Sequence, residues 1–218
     1  MARKFKKSKV SICVFCEGES EQAYIDFLKS EFHDVAVFKR PSSPGLFDDA
    51  DNRFKKDPGY RNYVDAIDEI WFFFDVEEKD IGNWTNRLEI IKRLRKLRKD
   101  PKIRVRLLMT TGCIEYWLML HYRHLAPSLL TVPDKERMLA QVVNMEPTYR
   151  KGNYDATARI AQNYPTAVKN ATIVLQNLLQ EGMPGLEDTD ERNRWLCTKC
   201  KTFSTVQEAI VFLEGLQS

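Results

Sequence analysis

Two short apolar runs that each break off at acids constrain this chain of 218 residues more than any other feature. Val10-Ser11-Ile12-Cys13-Val14-Phe15-Cys16 is apolar or small throughout and stops at Glu17-Gly18. Ile70-Trp71-Phe72-Phe73-Phe74 is wholly apolar and stops at Asp75-Val76-Glu77-Glu78. A run of this length with no polar alternation, rich in β-branched and aromatic residues, suits a strand covered on both faces. Strands of that kind belong to parallel sheets with helices on either side, and such sheets hold their ligands at the carboxyl edge. Glu17 and Asp75 are therefore the first candidates for chemistry.

The rest of the first half alternates in the same way. Residues 19–32 read as an amphipathic helix with Tyr24, Leu28 and Phe32 at helical spacing, and residues 35–38 as a short strand. Residues 40–59 carry three prolines and two glycines and read as a long surface loop, followed by a helix over 60–67. A helix over 84–97 turns Leu88, Ile91, Leu94 and Leu97 inward, a strand follows at 103–109, and Thr110-Thr111-Gly112 leads into a helix over 114–121. This alternation predicts an α/β fold, a mostly parallel sheet flanked by helices, over residues 10–125. Beyond Pro127 the periodicity is helical at 135–145, 154–163, 166–180 and 205–216, so residues 126–218 form a helical C-terminal extension. Residues 1–9, with five basic side chains, form a basic tail.

A hydrophobic fraction of 43% and a charged fraction of 30% are those of a soluble globular protein and exclude a mostly disordered chain. No apolar run is long enough to cross a bilayer, and the basic start lacks the pattern of a signal peptide, so a cytoplasmic protein is expected. An odd count of five cysteines fits a reducing compartment. Cys13 and Cys16 lie three apart in a strand and face opposite ways, while Cys197 and Cys200, in a polar loop, lack two further ligands; neither pair predicts zinc.

The net charge of +3 says little, but basic and acidic side chains are segregated along the chain. Asp75 and Glu77, two apart in extended backbone, project to one side, and with Glu17 on a neighbouring strand three carboxylates converge. They repel one another unless protonated or bridged by a cation, and oxygen-only ligands suit Mg²⁺ or Mn²⁺. The alternative is that acids at strand ends are simply solvated. Glu115, at the start of the helix after the fourth strand, either favours the helix N-terminus or completes the metal centre. Glu19 and Glu21 read as helix-start residues, Asp80 as a solvated loop residue and His121 as a packed helix histidine. Arg93, Lys96 and Lys99, with Arg98, Lys102, Arg104 and Arg106 nearby, form either a nucleic-acid contact or a solvated face, and Arg53 and Lys55 in the 40–59 loop are further candidate readers. Trp195, Phe203 and Phe212 read as packing residues.

The segment Cys16-Glu17-Gly18-Glu19-Ser20-Glu21 before a helix, together with Trp71-Phe72-Phe73-Phe74-Asp75-Val76-Glu77, resembles the Toprim domain of topoisomerases, primases and related nucleases, which carries a glutamate after its first strand and Asp-x-Asp after its third. Cys113-Ile114-Glu115-Tyr116-Trp117-Leu118-Met119-Leu120-His121-Tyr122 is similar to the corresponding segment of RloB-like proteins of restriction and phage-defence loci. The resemblance covers residues 8–125 well and the remainder loosely. It implies a Toprim-like catalytic domain and a metal-dependent nuclease acting in anti-phage or restriction-linked defence. Glu17 would be its general acid or base, Asp75 and Glu77 the Mg²⁺ ligands, Glu115 a supporting ligand, and an ATPase a neighbouring partner. The chain has no phosphate-binding loop of its own for ATP. It departs from the pattern at Glu77, where the family has aspartate. Two further readings stay open: a nucleic-acid-binding adaptor subunit whose acids no longer turn over substrate, and another phosphotransfer enzyme of the same superfamily that joins or synthesises strands.

Overall fold

The computed structural model describes residues 9–199 and 201–218. Its centre is a four-stranded, wholly parallel sheet in the order β2-β1-β3-β4, formed by β1 (Val10–Cys16), β2 (Ala36–Lys39), β3 (Glu69–Val76) and β4 (Arg104–Thr111). The two apolar runs are thus the two inner strands, paired from Ile12 opposite Glu69 to Cys16 opposite Phe73. Alternation sorts their side chains into two cores. Ile12, Val14, Cys16, Trp71 and Phe73 enter one, while Cys13, Phe15, Ile70, Phe72 and Phe74 enter the other. With helices on both faces, no strand residue in the middle needs to be polar, which is why neither run alternates.

The first core is covered by α1 (Glu19–Glu31), α5 (Ile114–Leu120), α6 (Val132–Met145), α7 (Tyr154–Ala161) and α10 (Val206–Gln217). The second is covered by α2 (Phe47–Lys56), α3 (Pro58–Arg61), α4 (Trp84–Arg95) and α9 (Asp190–Thr198). The long helix α8 (Tyr164–Gln180) serves both, giving Ala167 and Ala171 to one core and Val174, Leu175 and Leu178 to the other. Burying each of the large apolar side chains is worth about 1.5–3 kcal/mol, so the C-terminal helices are integral to the packing of the sheet. The outer edge of β4 is capped by the segment before α10: Thr111 N donates to Phe203 O at 3.0 Å and Thr205 N to Met109 O at 2.9 Å.

Several expectations are corrected by the structure. Residues 40–59 contain α2 rather than one long loop. Phe47, Ala50 and Phe54 recur at helical spacing, and Asp48 and Asp49 open the helix while Arg53, Lys55 and Lys56 close it, as the helix dipole favours. The single helix expected over 60–67 is the one-turn α3 and a separate 3-10 turn, Val64–Ala66. Cys197 belongs to α9, not to a polar loop, and is buried with its Sγ 3.5 Å from Met109 Sδ. Cys200 and residues 1–8 of the basic tail lie outside the described residues, while Lys9 donates to His33 O at 2.7 Å. Asp80 is not solvated: it is buried, accepts from Glu77 N at 3.0 Å and pairs with Arg87 at 2.5 Å.

Candidate functional site

The sheet order places β1 and β3 side by side while their connections leave in opposite directions, and this opens a crevice at their carboxyl ends. Glu17 is the first residue past β1, and its amide continues the ladder by donating to Phe73 O at 3.0 Å. Its Oε2 accepts from Asp75 N at 2.9 Å, so the side chain caps the amide that β1 no longer reaches. Asp75 points to the face covered by α1 and α5. There a cavity of about 290 Å³ is lined by Glu17, Gly18, Glu21, Asp75, Glu115 and Lys151, among others. Glu115 rides on the first turn of α5, whose entry requires Gly112: its φ is +75°, and a Cβ there would meet Leu129 O at 2.7 Å.

The electrostatics of this cavity are those of uncompensated acids. Asp75 Oδ1 is buried and has no hydrogen-bond partner among the described residues. Burial, and then the neighbouring Glu21, Glu17, Glu115 and Glu77, push the Asp75 carboxyl well above the usual carboxylate range. Glu21, only 4% exposed, is raised to about 7 by burial and by Glu17 and Glu115. Glu17, at the exposed rim, is raised by desolvation against the opposing hydrogen bond from Asp75 N. Glu115, 1% exposed, is held by Tyr149, whose hydroxyl donates to Oε1 at 3.1 Å, and Lys151 Nζ stands 3.8 Å from the same oxygen. Tyr149 and Lys151 come from the loop between α6 and α7, so the helical C-terminal part completes the wall.

Glu77 lies outside this group. It lines a neighbouring narrow cleft with Thr111, Lys135 and Lys201, and its carboxylate is paired with both Lys135 and Lys79. Partial burial alone would raise it, but the two lysine hydrogen bonds bring its pKa below the ordinary value. The candidate nucleic-acid residues are also dispersed. Arg53 pairs with Asp49 at 2.7 Å, Lys55 with Asp51 at 2.5 Å and Arg93 with Asp51 at 2.9 Å. Lys96 and Lys99 are exposed beyond the C-terminal end of α4, beside Arg98, which reaches Asp68 at the start of β3. They stand at the amino edge of the sheet, and a strand of eight residues, as β3 is, sets that edge roughly 25 Å from the acids. Arg106 is buried against Glu69, Arg104 is exposed, and His121 is packed, with Nε2 3.1 Å from the Tyr24 hydroxyl.

A family model for RloB-like proteins matches residues 12–210, which is nearly the whole chain and includes every acid of the cavity. The chain belongs to the RloB-like family. No curated protein matches it, and no solved structure does. Within this RloB-like chain, the site differs from the sequence expectation at Glu77, which two lysines hold outside the cavity, and at Glu21 and Tyr149, which join it. Glu21 had a legible signal: it precedes Tyr24, Ile25 and Leu28 at spacings of three, four and seven, and so falls on the buried stripe of α1. Tyr149 had none, because its role depends on a fold-back across more than thirty residues.

The acids of the RloB-like site suit a divalent cation in kind. They supply only oxygen donors, and one buried oxygen, Asp75 Oδ1, has no partner among the described residues. Among the described residues, no three His, Cys, Asp or Glu side chains are already gathered as a ligand set. The carboxylates stand instead around the wall of the cavity, leaving room for water, which Mg²⁺ retains when it binds.

Proposed function

We propose that this RloB-like protein is a metal-dependent nuclease of the Toprim superfamily that hydrolyses phosphodiester bonds in defence against foreign nucleic acid. The observation that carries this reading is Asp75: a buried carboxylate with an unpartnered oxygen, facing Glu17, Glu21 and Glu115 at the carboxyl edge of a parallel sheet. Leaving such a group unpaired costs stability, and functional sites are where that cost is tolerated. Asp75, Glu21 and Glu115 would hold Mg²⁺ or Mn²⁺, which when bound supplies charge neutralisation at a phosphate oxygen and a lowered pKa for water. Glu17, at the rim with a raised pKa, is placed to carry a proton to or from the reacting oxygen. Tyr149 fixes Glu115, and Lys151 offers a cation to the phosphate. Control by an ATPase partner belongs to the same reading.

A second reading has one observation in its favour. Glu77 stands where the superfamily places its second ligand, and here two lysines occupy it, as in an adaptor that binds nucleic acid without cutting it. Titration of Mg²⁺ and Mn²⁺ with labelled single-stranded DNA, duplex DNA and RNA separates the two. The nuclease reading expects metal-dependent cleavage that falls by about a hundredfold or more in Glu17→Gln and is lost in Asp75→Asn. Binding without cleavage in every sample supports the adaptor.

A further inference from the structure

The lysines beside Glu77 are not used by the site as described. Lys135, on the first turn of α6, and Lys79, just past β3, both hold the Glu77 carboxylate, and Lys135, Glu77 and Thr111 line the cleft that adjoins the acidic cavity where β3 ends. The cleft continues past Lys201, which also lines the next cavity along this edge. The Glu77 backbone is extended and fixed by its amide donating to Asp80 Oδ2 at 3.0 Å, so the carboxylate can turn on its own three side-chain torsions while the main chain stays in place, giving up its capping contact with the Asp80 amide as well as the two lysines. Lys135 and Glu77 are each about a quarter exposed, with side-chain accessibilities of 26% and 24%, and Lys79 reaches further into solvent at 68%.

We infer that Lys135 and Lys79 are the phosphate contacts of this site, held in reserve by Glu77. When Glu77 turns toward a cation at Asp75, both ammonium groups are released to the backbone of the nucleic acid, and metal binding and phosphate binding thereby reinforce each other. The ligand class, a polyphosphodiester, rests on the reading under Proposed function; the exchange of Glu77 between lysines and acids rests on the contacts above. Two lysines on one carboxylate leave a net positive charge at the mouth of a negative cavity. That is the arrangement a phosphate needs to approach carboxylates that would otherwise repel it.

The test is made in EDTA, where cleavage is silent, by fluorescence anisotropy of a labelled single-stranded DNA across a salt series. Glu77→Gln removes the competing charge. It should tighten binding by about tenfold and steepen the slope of log affinity against log salt by about one to two, the increment of two new phosphate contacts. Adding Lys135→Gln and Lys79→Gln to Glu77→Gln should abolish both gains. Affinity and slope unchanged in Glu77→Gln overturn the inference. If Glu77→Gln does not fold, Lys135→Gln with Lys79→Gln, at two solvent-reaching positions and read on the Glu17→Gln background where cleavage is suppressed, should erase the part of the affinity that appears on adding Mg²⁺. Retention of that part overturns the inference equally. A wild type that never cleaves while Glu77→Gln gains affinity removes only the nuclease reading; a wild type that cleaves while Glu77→Gln gains nothing removes only this inference.

Discussion

Glu69 and Asp75 lie on the same strand, project to the same face and mark the two ends of β3, yet their surroundings are opposite. At the amino end, Glu69 accepts from Arg106 Nε and Nη2, both at 3.0 Å, and from Trp71 Nε1 at 2.6 Å. Arg106 in turn lies over the Phe212 ring, 4.7 Å from its centroid. At the carboxyl end, Asp75 has an oxygen with no partner among the described residues and four glutamates, Glu21, Glu17, Glu115 and Glu77, acting on it. A buried acid that is paired and fully hydrogen-bonded is part of the packing, whereas one left among like charges carries a cost that nothing around it offsets. The contrast within one strand separates the end of the sheet that is internally paired from the end that carries the candidate site.

The most severe way to break that contrast is to unpair the amino end. Arg106→Leu leaves Glu69 buried with one remaining donor and should cost about 3–5 kcal/mol in urea denaturation. Asp75→Asn at the other end removes an acid that nothing among the described residues pairs, and should leave stability unchanged or raise it by about 1 kcal/mol; under the proposed function it also abolishes metal-dependent cleavage. Equal destabilisation by the two substitutions would mean that both carboxylates are structural.

A pH series sharpens the same point with a slightly smaller effect. The pKa of Glu21 rises from 4.5 to about 7 on folding. Below pH 4.5 it is protonated in both states; between there and pH 7 the unfolded chain gives up its proton first, so this group removes stability as the pH rises, and the loss is complete above pH 7. A shift of that size corresponds to about 3 kcal/mol. Glu21→Gln should therefore gain on wild type by about that amount between pH 4.5 and pH 8. His121, lowered to about 4 by burial, acts in the opposite sense, adding stability as the pH rises toward 6.5, but it is common to both chains and cancels in the difference. A constant difference across the range would show that Glu21 is not under the strain of its neighbours.

The sheet was legible because its information is local. Two apolar runs of strand length, each breaking at an acid, predict parallel strands buried on both faces, and β1 and β3 are those strands side by side. Glu17 and Asp75 followed from where the runs stop, and the structure brings Glu115 to the same cavity. What was not legible depends on tertiary neighbours. Glu77 shares the projection of Asp75 by strand alternation, but Lys135 arrives from α6, 58 residues later, and takes its carboxylate. Arg53, Lys55 and Arg93 looked available for a polyanion because their partners, Asp49 and Asp51, face them only once α2 has formed beside α4. Proline content at 40–59 outweighed the spacing of Phe47, Ala50 and Phe54, although Pro41, Pro44 and Pro58 lie outside α2 and leave its hydrogen bonds intact.

The smallest predicted effect closes the comparison on the side of substrate. If the carboxyl edge alone receives nucleic acid, the lysines of the amino edge, which have no ion-pair partner among the described residues, are solvated charges that contribute only through the long-range field. At about 0.15 M salt that field decays over about 8 Å, well short of the strand length that separates Lys96 and Lys99 from Asp75. Lys96→Gln with Lys99→Gln should then change DNA affinity by less than about twofold and leave the salt slope as it is, because no phosphate contact has been lost. Lys135→Gln with Lys79→Gln, the same change in net charge, should lower the affinity seen with Mg²⁺ and flatten the slope. Matching losses from the two pairs would place the nucleic acid across both edges of the sheet, and the distinction drawn between Glu69 and Asp75 would no longer tell where the substrate lies.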